Sequence, residues 1–85
     1  MNKELNWLVY IILCSDDSFY TGITNDLQRR FAQHKNKKGA RYFYGREPVK
    51  VVFTEYGHDR SSASKREYKI KRYSRAKKLA LVKAL

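Results

Sequence analysis

Apolar side chains run almost unbroken from Trp7 to Cys14 and then thin into periodic patterns. A short run rich in β-branched and aromatic residues predicts a buried strand. Ser15-Asp16-Asp17-Ser18 is turn chemistry. Phe19 to Ile23 reads as a second strand, so the two form an antiparallel hairpin. Thr24-Asn25-Asp26 offers helix N-caps, and Asp26 suits the positive end of a helix dipole. The following helix is expected to run to about Lys37, with Leu27 and Phe31 facing the core and Gly39 as its stop. Residues 40–48 read as a loop closed by Pro48. Val49 to Tyr56 reads as a third strand, with Val51, Phe53 and Glu55 on one face and Val52, Thr54 and Tyr56 on the other. Gly57-His58-Asp59 reads as a turn. Ser61 and Ser62 can cap a helix through about Tyr73. Ser74 can cap a last helix whose apolar residues are Ala76, Leu79, Ala80, Val82 and Leu85. The expectation is one α/β (α+β) domain over residues 1–85, ββαβαα, a small three-stranded antiparallel sheet flanked by helices.

Composition changes the picture through charge. The chain has 85 residues, 19 of them Lys or Arg against 8 Asp or Glu, for a net charge of +11. Residues 60–85 hold ten Lys/Arg and one acid, Glu67, and residues 29–46 hold seven Lys/Arg and no acid. The excess favours a polyanionic partner. No apolar run reaches the roughly 18 residues of a spanning helix. With no secretory signal and one cysteine, Cys14, cytoplasmic residence is the expectation. P-loop, Rossmann and Cys/His metal patterns are absent from the sequence.

Several residues invite chemistry. Glu67 shares a helical stripe with Ala63, Ile70 and Ser74, and a carboxylate there loses hydration unless something compensates. A metal ion would do so. So would a capping box from Ser64 to Glu67, or a pair with Lys71. Arg30 and His34 lie one helical turn apart, and Arg30 borders the Leu27–Phe31 stripe while Arg29 points about 100° away. Arg30 can fork onto a phosphate or be one more surface cation. Tyr10 and Tyr20 sit in apolar strands, where tyrosines are often structural. Lys35, Lys37, Lys38, Arg41 and Arg46 interleave with Tyr42, Phe43 and Tyr44. Such a segment can hold phosphates and stack on bases, or it can pack its rings onto the domain. Lys71, Arg72 and Arg75 extend the basic surface.

The order Leu8-Val9-Tyr10, Tyr20-Thr21-Gly22, Arg30, His34 and Glu67 resembles the GIY-YIG nuclease domain from about Val9 to Leu85, and the small stand-alone bacterial type in particular. Leu8 and Val9 replace the usual Gly-Ile, and Ile23 stands where some excision-repair relatives carry lysine. The resemblance implies catalytic roles for Tyr10, Tyr20, Arg30, His34 and Glu67. In it, Glu67 holds one Mg²⁺ or Mn²⁺ ion that stabilises the leaving oxygen, and Arg30 neutralises transition-state charge. Tyr10 helps deprotonate water, while Tyr20 and His34 position groups or relay protons. Since a free tyrosine has a pKa near 10, a nearby cation, Arg30 or the metal, would be needed to favour the phenolate.

The implied activity is divalent-metal-dependent, structure-directed cleavage of DNA with low sequence specificity. RNA is the alternative substrate, a protein partner could supply specificity, and no membrane is involved. The rival is a non-catalytic DNA- or RNA-binding module that keeps the nuclease fold.

Overall fold

A computed structural model describes residues 4–84. Its element order is β1 (Trp7–Cys14), β2 (Phe19–Thr24), α1 (Leu27–Lys35), a 3₁₀ turn (Arg41–Tyr44), β3 (Pro48–His58), α2 (Arg60–Lys71) and α3 (Arg75–Lys83). The sheet order is β2-β1-β3, with both pairings antiparallel. The ββαβαα expectation holds.

The unbroken apolar run has a simple cause: β1 is central and covered on both sides. Leu8, Tyr10, Ile12 and Cys14 face a first layer packed with Phe43, Leu27 and Phe31. Val9 and Ile11 face a second layer with Phe53, Ala63, Ile70, Leu81 and Val82. Alternation is still present in β1; both of its phases are apolar.

The hairpin turn brings Asp17 to φ 65°, and Cys14 N–H donates to the Ser18 carbonyl at 2.9 Å. The side chain of Asp26 caps α1 by accepting from Arg29 N–H at 3.1 Å. The helix stops two residues earlier than expected, because Lys37 takes the left-handed conformation (φ 59°) that Gly39 was expected to supply. Part of the expected loop winds into the 3₁₀ turn, which buries Phe43 completely.

β3 departs most from simple alternation. Ile11 pairs with Phe53 while Ile12 pairs with Val51, so one extra residue, Val52, sits in β3. The bulge sends Val51 to the first layer and Val52 and Phe53 to the second, which overturns the expected shared face of Val51 and Phe53. The strand also continues through Gly57 (φ 81°) and His58, where a turn was expected.

α2 is capped by Asp59 rather than by Ser61. The Asp59 carboxylate accepts from Ser62 N–H at 2.8 Å, and the Ser62 hydroxyl accepts from Asp59 N–H at 3.2 Å. This reciprocal box leaves Ser64 inside the helix, so the alternative box from Ser64 to Glu67 does not form. Ser74 caps α3 as expected, accepting from Lys77 N–H at 3.2 Å. On α3, Ala76 and Ala80 face solvent, while Leu81 and Val82 pack inward. Leu85 lies outside the described residues.

Candidate functional site

Five side chains from four elements converge beside β2. Tyr10 comes from the central strand, Tyr20 from its neighbour, Arg30 and His34 from α1, and Glu67 from α2. The tyrosine hydroxyl of Tyr10 hydrogen-bonds His34 Nε2 at 2.8 Å, and both side chains are buried. The Tyr20 ring lies edge-on to His34, with centroids 5.2 Å apart, and 6.3 Å from the Tyr10 ring. Phe43 closes the group from below, 4.5 Å from the His34 ring.

Two glycines make this packing possible. A Cβ at Gly22 would strike the Tyr10 hydroxyl and lie 2.6 Å from its ring carbon Cζ. A Cβ at Gly39 would lie 2.5 Å from His34 Nδ1. Gly22 pairs with Tyr10 across the hairpin, so the glycine of Tyr20-Thr21-Gly22 is where the Tyr10 side chain lies. Gly39 lets the chain after α1 close over His34. Its Nδ1 is fully buried without a hydrogen-bond partner in the structure.

Burial dominates the electrostatics. Loss of hydration pushes the Tyr10 phenol far above its ordinary pKa, with Tyr20 and Glu67 adding to the rise. Tyr20 is also raised, chiefly by burial and further by Glu67. Arg30 acts on both hydroxyls in the opposite direction, favouring the phenolates, but burial outweighs it. The expected help from Arg30 is therefore present and insufficient by itself. Burial, then the charge of Arg30, lowers His34 to about 4. At neutral pH the group is two phenols beside a neutral imidazole.

Arg30 donates from Nη1 to Gln33 Oε1 at 3.0 Å, which steadies its guanidinium, whereas Arg29 is exposed. Both arginines line a polar cleft of about 160 Å³ with Thr24, Asn25, Asp26 and Gln33. Glu67 is the sole acid of α2 and α3. Its side chain is 22% exposed, and Lys71 Nζ lies 3.3 Å from Oε2. Lys71 also sits 6.0 Å from the Tyr20 ring centroid. The pairing alternative for Glu67 is thus realised on one oxygen.

No group of three or more His, Cys, Asp or Glu side chains that could hold a metal occurs among the described residues. A lone carboxylate does not suit zinc, which wants several nitrogen or sulfur ligands. It does suit Mg²⁺, which keeps most of its waters and takes one or two carboxylates plus substrate phosphate.

The basic segment after α1 divides. Lys37 Nζ donates to the Arg46 carbonyl at 2.9 Å and to Glu47 at 3.0 Å. Arg46 pairs with Asp16 at 2.8 Å and stacks 4.0 Å from the centroid of Tyr42. Tyr42 is half-buried against the first layer. These three side chains follow the packed alternative. Lys35, Lys38, Arg41 and Tyr44 remain exposed. Farther along, Arg72 and Arg75 are exposed as well, and Arg75 lies over the Phe19 ring at 4.8 Å.

Sequence reasoning missed the close packing of Gly39 against His34, the Asp59 cap and a network at the far end of β3. There Arg66 Nε donates to Glu55 at 3.1 Å, and His58 bridges Glu55 and Ser62 at 2.8 and 2.9 Å. Its signal was an acid and a cation, Glu55 and Arg66, eleven positions apart, which no local periodicity connects.

Comparison with known proteins gives the family. A UPF0213 protein of Desulfotalea psychrophila is 52% identical over 79 residues, covering 92% of this chain and 72% of the relative. One from Halobacterium salinarum is 52% identical over 73 residues, covering 86% of this chain and 95% of the relative. The solution NMR structure of the UPF0213 protein BH0048 from Bacillus halodurans has a TM-score of 0.58 at 42% identity, covering 92% and 83% of the two chains. That of EF2693 from E. faecalis has a TM-score of 0.64 at 34% identity, covering 99% and 90%. Residues 6–80 match the GIY-YIG catalytic domain, and the protein belongs to that nuclease family.

Proposed function

We propose that the chain is a divalent-metal-dependent endonuclease that hydrolyses phosphodiester bonds in DNA, directed by DNA structure more than by sequence. The observation that carries this reading is the meeting of Arg30 and Glu67, opposite charges from different layers, on the same pair of phenols. That arrangement offers a cation for the phosphate, a carboxylate for a cation, and hydroxyls between them.

Arg30, held by Gln33, forks onto the scissile phosphate and offsets charge gathering on phosphorus. Tyr20, at the rim, hydrogen-bonds the attacking water. Tyr10 accepts a proton from that water as it passes its own to His34 Nε2, 2.8 Å away. A neutral imidazole can receive that proton; an imidazolium could not. Glu67 would hold Mg²⁺ or Mn²⁺, which when bound supplies charge neutralisation at the leaving oxygen. Lys35, Lys38, Arg41 and Tyr44 flank the duplex or strand. A reducing, cytoplasmic setting suits the buried free thiol of Cys14.

The competing reading is a binding module with the nuclease fold, and the raised phenols favour it. One substitution separates the two. Glu67→Gln keeps shape and removes charge, so Mg²⁺-dependent cleavage of a panel of branched, flapped and plain DNA and RNA should vanish. DNA binding in metal-free buffer should persist or strengthen. A folded Glu67→Gln protein with normal cleavage would remove Glu67 from the mechanism. A wild-type protein that binds but cuts nothing in the panel would favour the binding module.

A further inference from the structure

The outer face of α2 carries a groove that the reading above does not use. Lys65, Tyr68, Lys69, Arg72 and Tyr73 line about 410 Å³ of open space, within the roughly 300–1,000 Å³ of ordinary ligand clefts. The spacing explains the grouping: Lys65, Tyr68, Lys69 and Arg72 are three or four residues apart and share one helical face. The buried face of α2, with Ala63 and Ile70, points the other way.

Three properties stand out. First, the groove is cationic and unneutralised: no acid lines it, and Lys65 and Lys69 repel each other at i,i+4. Second, it has an exposed aromatic floor. Tyr68 is 54% exposed, and Arg72 lies 5.6 Å from its ring centroid while donating to its hydroxyl at 3.2 Å. Third, the other ring is fixed. Tyr73 accepts from Arg66 Nη1 at 3.3 Å and is covered by Lys77 at 4.2 Å. A large apolar ring left in water beside three cations suits a partner that is anionic and planar by turns. Duplex DNA presents phosphates but keeps its bases stacked inside. A single strand presents both.

We propose that this groove is a second nucleic-acid site, one that takes single-stranded nucleic acid by stacking a base on Tyr68 and holding its phosphates with Lys65, Lys69 and Arg72. It rests on the reading of the Arg30–Glu67 cluster as a nuclease centre and extends it to the substrate's shape. At about 100° per residue, Lys71 lies between Glu67 and Tyr68, the near edge of the groove, on the helix circumference. A strand leaving the cluster passes Lys71 and arrives after about one helix diameter, roughly 10 Å. The substrate is then one with an unpaired arm next to the cut.

The test is binding in EDTA, by fluorescence anisotropy, of a labelled single strand and of a blunt duplex. Tyr68→Ala changes no charge and removes an exposed side chain, so thermal unfolding should stay as in the wild type. Single-strand affinity should fall about five-fold or more, and duplex affinity should hold. Tyr68→Phe keeps the ring and should keep most of the affinity. Lys69→Ala should flatten the single-strand salt dependence by about 0.7 in log–log slope, as for one lost phosphate contact. A strand carrying 5-iodouracil should crosslink to Tyr68.

Unchanged single-strand affinity in Tyr68→Ala overturns the proposal. So does an equal loss on strand and duplex, or tighter Tyr68-dependent binding to vesicles of anionic lipid than to the strand. Because no cleavage enters this assay, its outcome is separable from that of Glu67→Gln. Tyr68-dependent binding without any nuclease activity removes the first reading alone, and Glu67-dependent cleavage with a silent Tyr68→Ala removes the second alone.

Discussion

Arg29 and Arg30 are neighbours in sequence with different surroundings, one in solvent and one beside two phenols. Arg30→Ala should lower kcat by about 10²–10³, the usual cost of losing one transition-state donor, while DNA affinity changes little. Arg29→Ala should do less to cleavage, and equal losses would overturn the assignment of the two arginines to different helical faces. Gly22→Ala tests packing. Its methyl must displace the Tyr10 ring, which is 1% exposed and has nowhere to go, so unfolding in urea should show a loss of about 1–3 kcal/mol. His34 makes a pH prediction. Its folded pKa of about 4 lies below the ordinary 6.5, so the unfolded chain binds more protons between those values. Stability should therefore be fully present above about pH 6.5 and fall as pH drops toward 4, with His34→Gln showing a shallower decline in urea midpoints. Candidate residues were legible where type and spacing decide: Arg30 from the Leu27–Phe31 stripe, Glu67 as a lone acid on a basic helix. The protonation states were not, because desolvation depends on which layer covers a hydroxyl. Nor was Gly39, since a glycine that stops a helix and one that makes room for a ring look alike in sequence.

Elements start and stop where hydrogen bonds allow. Asp59 satisfies the first turn of α2, so Asp59→Ala should cost about 1 kcal/mol, read from chemical unfolding. The same change should weaken cleavage modestly, because α2 carries Glu67. The order of strands and helices was legible because β1 is a short apolar run and the helices have polar caps. The bulge at Val52 was not, because alternation read from either end of β3 looks regular and only pairing with β1 reveals the extra residue. The start of α2 was misread because serines at 61 and 62 are good caps in isolation. The cap that wins is the one whose partner three residues on, Ser62, can answer it.

Over the whole molecule, positive charge gathers on the helices and the loop after α1, while seven of the eight acids lie outside those two basic segments. Non-specific DNA binding should have a Kd of about 10⁻⁴–10⁻⁶ M at physiological salt and weaken steeply as salt rises. A flat titration against salt would refute that electrostatic account. The cluster beside β2 also has a temporal side. Tyr10, Tyr20, Arg30 and His34 emerge early in synthesis and belong to the first layer, but the carboxylate waits for residue 67 and for α2 to dock on the second. A nascent chain on the ribosome could already grip RNA or DNA through its arginines. On the proposed assignment it would carry no means of cutting them until the second layer closed.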